Sequence, residues 1–225
     1  MSRTFSPHLD ILPAAQRVLW NELGQVPREF TLYGGTAIAL RLGHRQSLDF
    51  DFFSPSAFDP DALVERIPFL RDGDVLQKEE NTLTVVVDRG VPVQTSFFGV
   101  PRLGQMLEPE HSLDTGVRVA MLLDLAATKL AVVQKRAEAR DYVDIDAILE
   151  SGVVDLPTAL AGAKLIYGHQ FNPQISLKAL SFFDDGTLPQ LAQHVKNQLA
   201  AAVASVDLSR LPRLTMYRER PEQMQ

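Results

Sequence analysis

The chain of 225 residues contains no cysteine, which excludes disulfides, zinc–thiolate sites and thiol nucleophiles together. No uncharged apolar run reaches the length of a bilayer crossing, and the opening MSRTFSPHLDILP lacks the apolar stretch of a secretion signal. The expectation is therefore a cytoplasmic protein with no membrane partner. Positive charge is scarce: 22 Lys and Arg face 28 Asp and Glu, a formal charge of −6. That argues against a protein that coats nucleic acid non-specifically, but not against an enzyme gripping RNA through one local basic patch. Neither G-x-S-x-G nor G-x-x-x-x-G-K-[ST] occurs, which removes serine-hydrolase and P-loop chemistry. The five histidines show no H-x-x-x-H or similar metal spacing. What is present, 45% hydrophobic and 22% charged residues, is an ordinary globular composition.

Along the chain, Leu9 to Glu22 reads as a helix broken or started by Pro13, and EFTLYGG as a short strand ending in a glycine turn. Thr36 is placed to N-cap a helix AIALRLG that Gly43 stops. SLDFDFFS alternates, with Leu48, Phe50 and Phe52 on one face and Asp49, Asp51 and Phe53 on the other. Asp59 to Phe69 suggests a further helix, and TLTVVVD and VPVQTSFF flank Arg89-Gly90 as a β-hairpin. Val117 to Leu149 reads as one long helix or two abutting ones. From Leu156 the pattern stays helical, interrupted at Asn172-Pro173 and Asp185-Gly186, and the arginine-bearing tail around Arg210, Arg213, Arg218 and Arg220 is expected to be extended. The fold class is α+β: a small mixed sheet flanked by helices in residues 1–110, and a helical lobe in 111–225.

Two local patterns carry chemistry. A strand running into Gly34-Gly35 and then a helix can bring backbone N–H groups close to a phosphate, because no Cβ intervenes and the helix dipole adds attraction. The same residues also serve as a plain tight turn. Asp49 and Asp51, at i and i+2 on a strand, present carboxylates about 7 Å apart on one face. They fit either a solvated face or two hard oxygen ligands for Mg²⁺. Joined by one short helix, a phosphate loop and a carboxylate pair must end up adjacent, which is what metal-assisted nucleotidyl transfer requires. Further on, Lys129, Arg136 and Arg140 fall on a narrow stripe at 100° per residue, with Asp144 to one side.

The spacing resembles the hG[GS]…DxD signature of the DNA polymerase β-type nucleotidyltransferase superfamily. More closely, GGTAIALRLGHRQSLDFDFF resembles the first two motifs of the AbiEii/AbiGii toxin family, matched here by Gly34, Gly35, Thr36, Arg41, Arg45, Ser47, Asp49 and Asp51. A helix lysine followed by (R/K)-D-x-x-D is matched by Lys129 and by Arg140-Asp141-Tyr142-Val143-Asp144. The resemblance implies a nucleotidyltransferase fold and a toxin of a bacterial toxin–antitoxin pair, with a cognate antitoxin as partner. It implies an NTP substrate with Mg²⁺ (or Mn²⁺) on Asp49 and Asp51, and an acceptor hydroxyl on an RNA, such as the 3′ end of a tRNA, or on a protein. Gly34, Gly35 and Thr36 would cradle phosphates, with Arg41, Arg45 and Ser47 as further nucleotide contacts. Lys129 would neutralise the triphosphate, and Asp141 or Asp144 would serve as base or third acid.

One departure stands out. Polymerase β-type enzymes carry a third carboxylate on a following strand, whereas VPVQTSFF offers Gln94, Thr95 and Ser96. The alternative expectation is thus a catalytically degenerate member that binds nucleotide or a partner. A DxD-dependent glycosyltransferase is a further rival, weakened by the short chain and by the glycine pair so close ahead of the DxD.

Overall fold

The computed structural model describes residues 3–101 and 103–217; Arg218 and Arg220 lie outside them. The chain divides into two compact units, one running to Leu103 with Pro109–Ala120 added, the other formed by Gly104–Glu108 and the chain from Met121.

All strands found among the described residues belong to the first unit. They are β1 (Thr4–Phe5), β2 (Thr31–Tyr33), β3 (Phe50–Ser54), β4 (Asp74–Glu79), β5 (Thr82–Asp88), β6 (Pro92–Gly99), β7 (Glu110–Ser112) and β8 (Arg118–Val119), in the order β1-β7-β8-β2-β3-β6-β5-β4. The sheet is mixed: β3 runs antiparallel to β2 and parallel to β6, while β4, β5 and β6 form an antiparallel meander. Its helices are α1 (Ala14–Glu22), α2 (Gly34–Leu42) and α3 (Pro60–Arg66).

Burial alternates along β3: Phe50, Phe52 and Ser54 are buried, while Asp51 and Phe53 are partly exposed. The buried face holds the aromatic core. Phe52 stacks on Phe97 at 5.2 Å, Phe30 meets Phe97 edge-on, and Trp20 of α1 lies over Phe50 at 6.3 Å. Such pairs add to the burial of the rings themselves. The Trp20 indole donates to Asp114 at 2.7 Å, so its one polar group is satisfied inside the core.

Helix ends follow local chemistry. Gly43, at φ +67, closes α2 with its N–H on the carbonyl of Ala39. The Asp59 side chain caps α3, which stops at Arg66 because Pro68 cannot continue it.

The second unit contains α4 (Leu122–Val132), α5 (Ala139–Glu150), α6 (Leu156–Tyr167), α7 (Pro173–Ala179) and α8 (Gln193–Ala204). Asp155 and Asn172 cap α6 and α7, so the Asn172-Pro173 interruption is a helix start.

Several expectations are corrected. The helix after the glycine turn begins at Gly34, with Tyr33 at the N-cap, so Thr36 lies inside it. Strand β3 begins at Phe50, and Leu48, expected in the core, is 55% exposed. Val117 to Leu149 is not continuous helix: Arg118 and Val119 are strand, and α4 and α5 are separate. Lys129, Arg136 and Arg140 therefore do not share one helical stripe.

Asp124 in α4 is fully buried and accepts from the backbone N–H groups of Met106 at 2.7 Å and Leu107 at 3.1 Å. Burial pushes its pKa from 3.8 to about 6, against the pull of those backbone donors. The folded state thus binds this proton more tightly than the unfolded one. The associated stability is complete below about pH 3.8 and is lost as pH rises through about 6, on the order of 3 kcal/mol in all. Asp124→Asn should remove that component. In urea titrations from pH 4 to 7, the stability of the native protein minus that of the variant should fall across this window.

Candidate active site

The glycine turn and the aspartates meet. Tyr33, the last residue of β2, pairs with Asp51 of β3, and the chain turns at once into α2 through Gly34. Gly34 has φ +73, and a Cβ there would stand 2.8 Å from Oδ2 of Asp51. Glycine is thus required twice, by backbone conformation and by the carboxylate against it. The N-terminal end of α2, whose first N–H groups have no partner within the helix and whose dipole end is positive, is brought beside an acidic side chain. Gly35 is the second residue of the helix, and Asp49 lies one residue ahead of β3, partly exposed like Asp51.

Thr36 and Ser47 are both buried. Their hydroxyls are 2.7 Å apart, and the Thr36 hydroxyl also donates to the main-chain carbonyl of Asp49. These side chains fasten the first turn of α2 to the loop that delivers the DxD. Arg41, in the last turn of α2, donates to Glu110 at 2.9 Å and to the carbonyls of Ala120 and Val119, and its guanidinium lies 4.4 Å from the Phe5 ring centre. Burial draws its pKa below the ordinary arginine value, with Glu110 opposing. Seven residues of helix separate it from Gly34, about 10 Å along the axis, so the structure ties Arg41 to the β7–β8 edge. Arg45 lies in the loop after α2 and donates to the Gln46 carbonyl at 2.8 Å.

Beside β3, strand β6 sets Ser96 opposite Asp51. The Ser96 hydroxyl neighbours those of Thr84 at 3.3 Å and the Gln94 amide at 3.5 Å. The strand position that would carry a third acid is therefore filled by hydroxyl and amide groups. Among the described residues no cluster of three or more His, Asp or Glu side chains could hold a metal. Two carboxylates do fit Mg²⁺, which ordinarily takes one or two from protein and the rest of its octahedron from phosphate and water.

In the second unit Lys129 of α4 bridges two carboxylates of α5, Asp141 at 2.6 Å and Asp144 at 2.7 Å. Both aspartates are fully buried and Lys129 is nearly so. Arg136, in the α4–α5 connection, adds bonds of 2.7 and 3.0 Å to Asp141, whereas Arg140 pairs outward with Glu138. Burial alone would raise the pKa of Asp141, but Arg136 and Lys129 together hold it below the ordinary carboxylate value. A carboxylate so held orients cations well and accepts a proton poorly. The sequence stripe missed this arrangement because the partners of Lys129 come from the next helix.

A glycine-started helix set against a carboxylate-bearing central strand, on a mixed sheet, defines a protein of the nucleotidyl-transferring class. The chain belongs to the AbiEii family: residues 17–213 match the family described as nucleotidyl transferase AbiEii toxin of type IV toxin–antitoxin systems. It is a nucleotidyltransferase of that toxin family. An uncharacterized protein of Aquifex aeolicus (strain VF5) is 30% identical over 159 residues, 70% of this chain and 75% of that protein. Among solved structures, MenT4, a nucleotidyltransferase toxin of Mycobacterium tuberculosis H37Rv, shares the fold with a TM-score of 0.56 and 15% identity over 88% of this chain and 87% of that one. A nucleotidyltransferase-like antigenic protein from Paracoccidioides brasiliensis does so with 0.52 and 15% identity, over 84% and 89% of the two chains.

Proposed function

We propose that the protein transfers a nucleotidyl group from an NTP to a hydroxyl of RNA or protein, the 3′ end of a tRNA being one such acceptor, as the toxin of a toxin–antitoxin pair with a cognate antitoxin. In this reaction the acceptor oxygen bonds to the α-phosphorus, the bond to the β-phosphate oxygen breaks, and pyrophosphate leaves. The observation that carries the reading is the closeness of the Gly34 backbone to the Asp51 carboxylate, both of them partly exposed.

Asp49 and Asp51 hold Mg²⁺ or Mn²⁺, which when bound polarises the triphosphate and eases deprotonation of the acceptor hydroxyl. The N–H groups at Gly34 and Gly35 receive phosphate oxygens. Thr36 and Ser47 fix the distance between that helix end and the aspartates, and Arg41 anchors the other end of α2. Arg45, just ahead of the DxD, is the arginine assigned to phosphate. The family resemblance gives Lys129 to the triphosphate, and within the second unit Asp141 and Asp144 hold its ammonium. Those two aspartates then act by aiming the lysine.

The test is incubation with labelled NTPs, Mg²⁺ and total tRNA, with Asp49→Ala alongside. Transfer should require the metal and fall at least about a hundredfold in the variant, since Lewis-acid stabilisation contributes several kcal/mol. The hydroxyl and amide groups at Ser96 and Gln94 favour a second reading, a member that binds nucleotide without transferring it. Metal-dependent NTP binding with no label on any RNA or protein would select that reading.

A further inference from the structure

We infer that Phe53 and Phe98 form a stacking platform for the base of the bound nucleoside triphosphate. The inference rests on the phosphate and metal assignment above and extends it to the nucleoside. The two residues are directly opposite in the β3–β6 pair, with ring centres 5.1 Å apart and planes tilted by 35°. Tyr33 meets Phe53 edge-on at 5.2 Å. Neighbouring Phe52 and Phe97 point the other way into the core and are essentially inaccessible, whereas Phe53 and Phe98 keep part of their surface exposed. This is the face that carries Asp51.

Position then selects the ligand. Phe53 is two residues beyond Asp51 on one strand, about 7 Å along the same face, the scale of a ribose between a metal-bound phosphate and its base. The rest of the row is polar without charge: Ser96 beside Asp51, Thr84 beside Ser96, and Gln94 on the same side of β6. Ser96 and Thr84 are buried and Gln94 lies beyond Asp51 from the rings, so what the aromatic pair offers is a π-face one sugar away from a carboxylate. A flat heterocycle attached to a triphosphate uses that combination. Stacking is tolerant of base identity, so the platform contributes affinity for nucleosides in general.

The experiment compares Mg²⁺-ATP, Mg²⁺-CTP and Mg²⁺-tripolyphosphate, which has no base, by calorimetry on the native chain and on Phe53→Leu, Phe98→Leu and Phe98→Trp. The native protein should bind the nucleoside triphosphates more tightly than tripolyphosphate. Each leucine variant should lose about 5- to 150-fold of that preference, with tripolyphosphate binding unchanged, and Phe98→Trp should keep it. Equal native affinity for tripolyphosphate and nucleotides would overturn the platform while sparing the phosphate and metal reading. Leucine variants that weaken all ligands alike would reduce the rings to packing and overturn it too. If no native ligand binds, the underlying assignment falls, and the platform with it.

Discussion

Replacing Gly34 by alanine is expected to lower nucleotidyl transfer by about a hundredfold or more while the protein remains folded. A side chain at φ +73 carries the left-handed penalty of about 1–2 kcal/mol. The new methyl would also meet Oδ2 of Asp51 at 2.8 Å, so the carboxylate must turn away from the helix end. Displacing a side chain proposed to hold the metal by about 1 Å is enough for a loss of that size in rate. A double-mutant cycle with Asp51→Ala separates the two effects. Removing the carboxylate leaves the alanine methyl only an ordinary 3.5 Å contact with the Cβ at position 51. In urea titrations Gly34→Ala should therefore cost less stability in the Asp51→Ala background than alone, by about 0.5 kcal/mol or more. An identical cost in both backgrounds would mean that the carboxylate does not press on the glycine.

Lys129→Ala should be strongly destabilising, by about 3–5 kcal/mol at neutral pH, because it withdraws an ammonium from between two fully buried carboxylates. In the native protein the depressed pKa of Asp141 means that its contribution is present above the ordinary carboxylate range and disappears as pH falls through its lower folded value. Without Lys129 desolvation gains weight and Asp141 takes up a proton more readily. The deficit of the variant should then shrink as pH is lowered towards 4, in denaturation curves measured side by side. A constant deficit would show that lost packing of the lysine stem, not the charges, dominates.

Much of this site could be read from local sequence because its determinants are local. Gly34 and Gly35 announce a turn by composition, Asp51 and Phe53 share a face by the period of two, and the β5–β6 hairpin is marked by Arg89-Gly90 between alternating runs. Other features depend on partners far away in the chain. Strands β1, β7 and β8 are two or three residues long and show no alternation of their own. The hold of Arg41 on Glu110, 69 residues on, leaves no sign in its own segment. Thr36 looks like a cap because nothing nearby reveals that its hydroxyl donates to the Asp49 carbonyl and lies against that of Ser47. The stripe through Lys129 failed for a different reason: a helical wheel assumes one helix, and the connection at 133–138 ends it.

The Thr36–Ser47 latch also determines where the chain tolerates a change in length. An extra residue between Gly43 and Ser47 would move Arg45 but keep the register of β3, because the latch fixes the chain after it; one between Ser47 and Asp51 would not. Side chains on a strand alternate, so one inserted residue beyond the latch would exchange the two faces of β3, sending Asp51 into the layer now filled by Phe52 and Phe97 and turning Phe52 outward. A single hydroxyl pair thus divides a stretch whose length the strand does not feel from one in which every residue is counted.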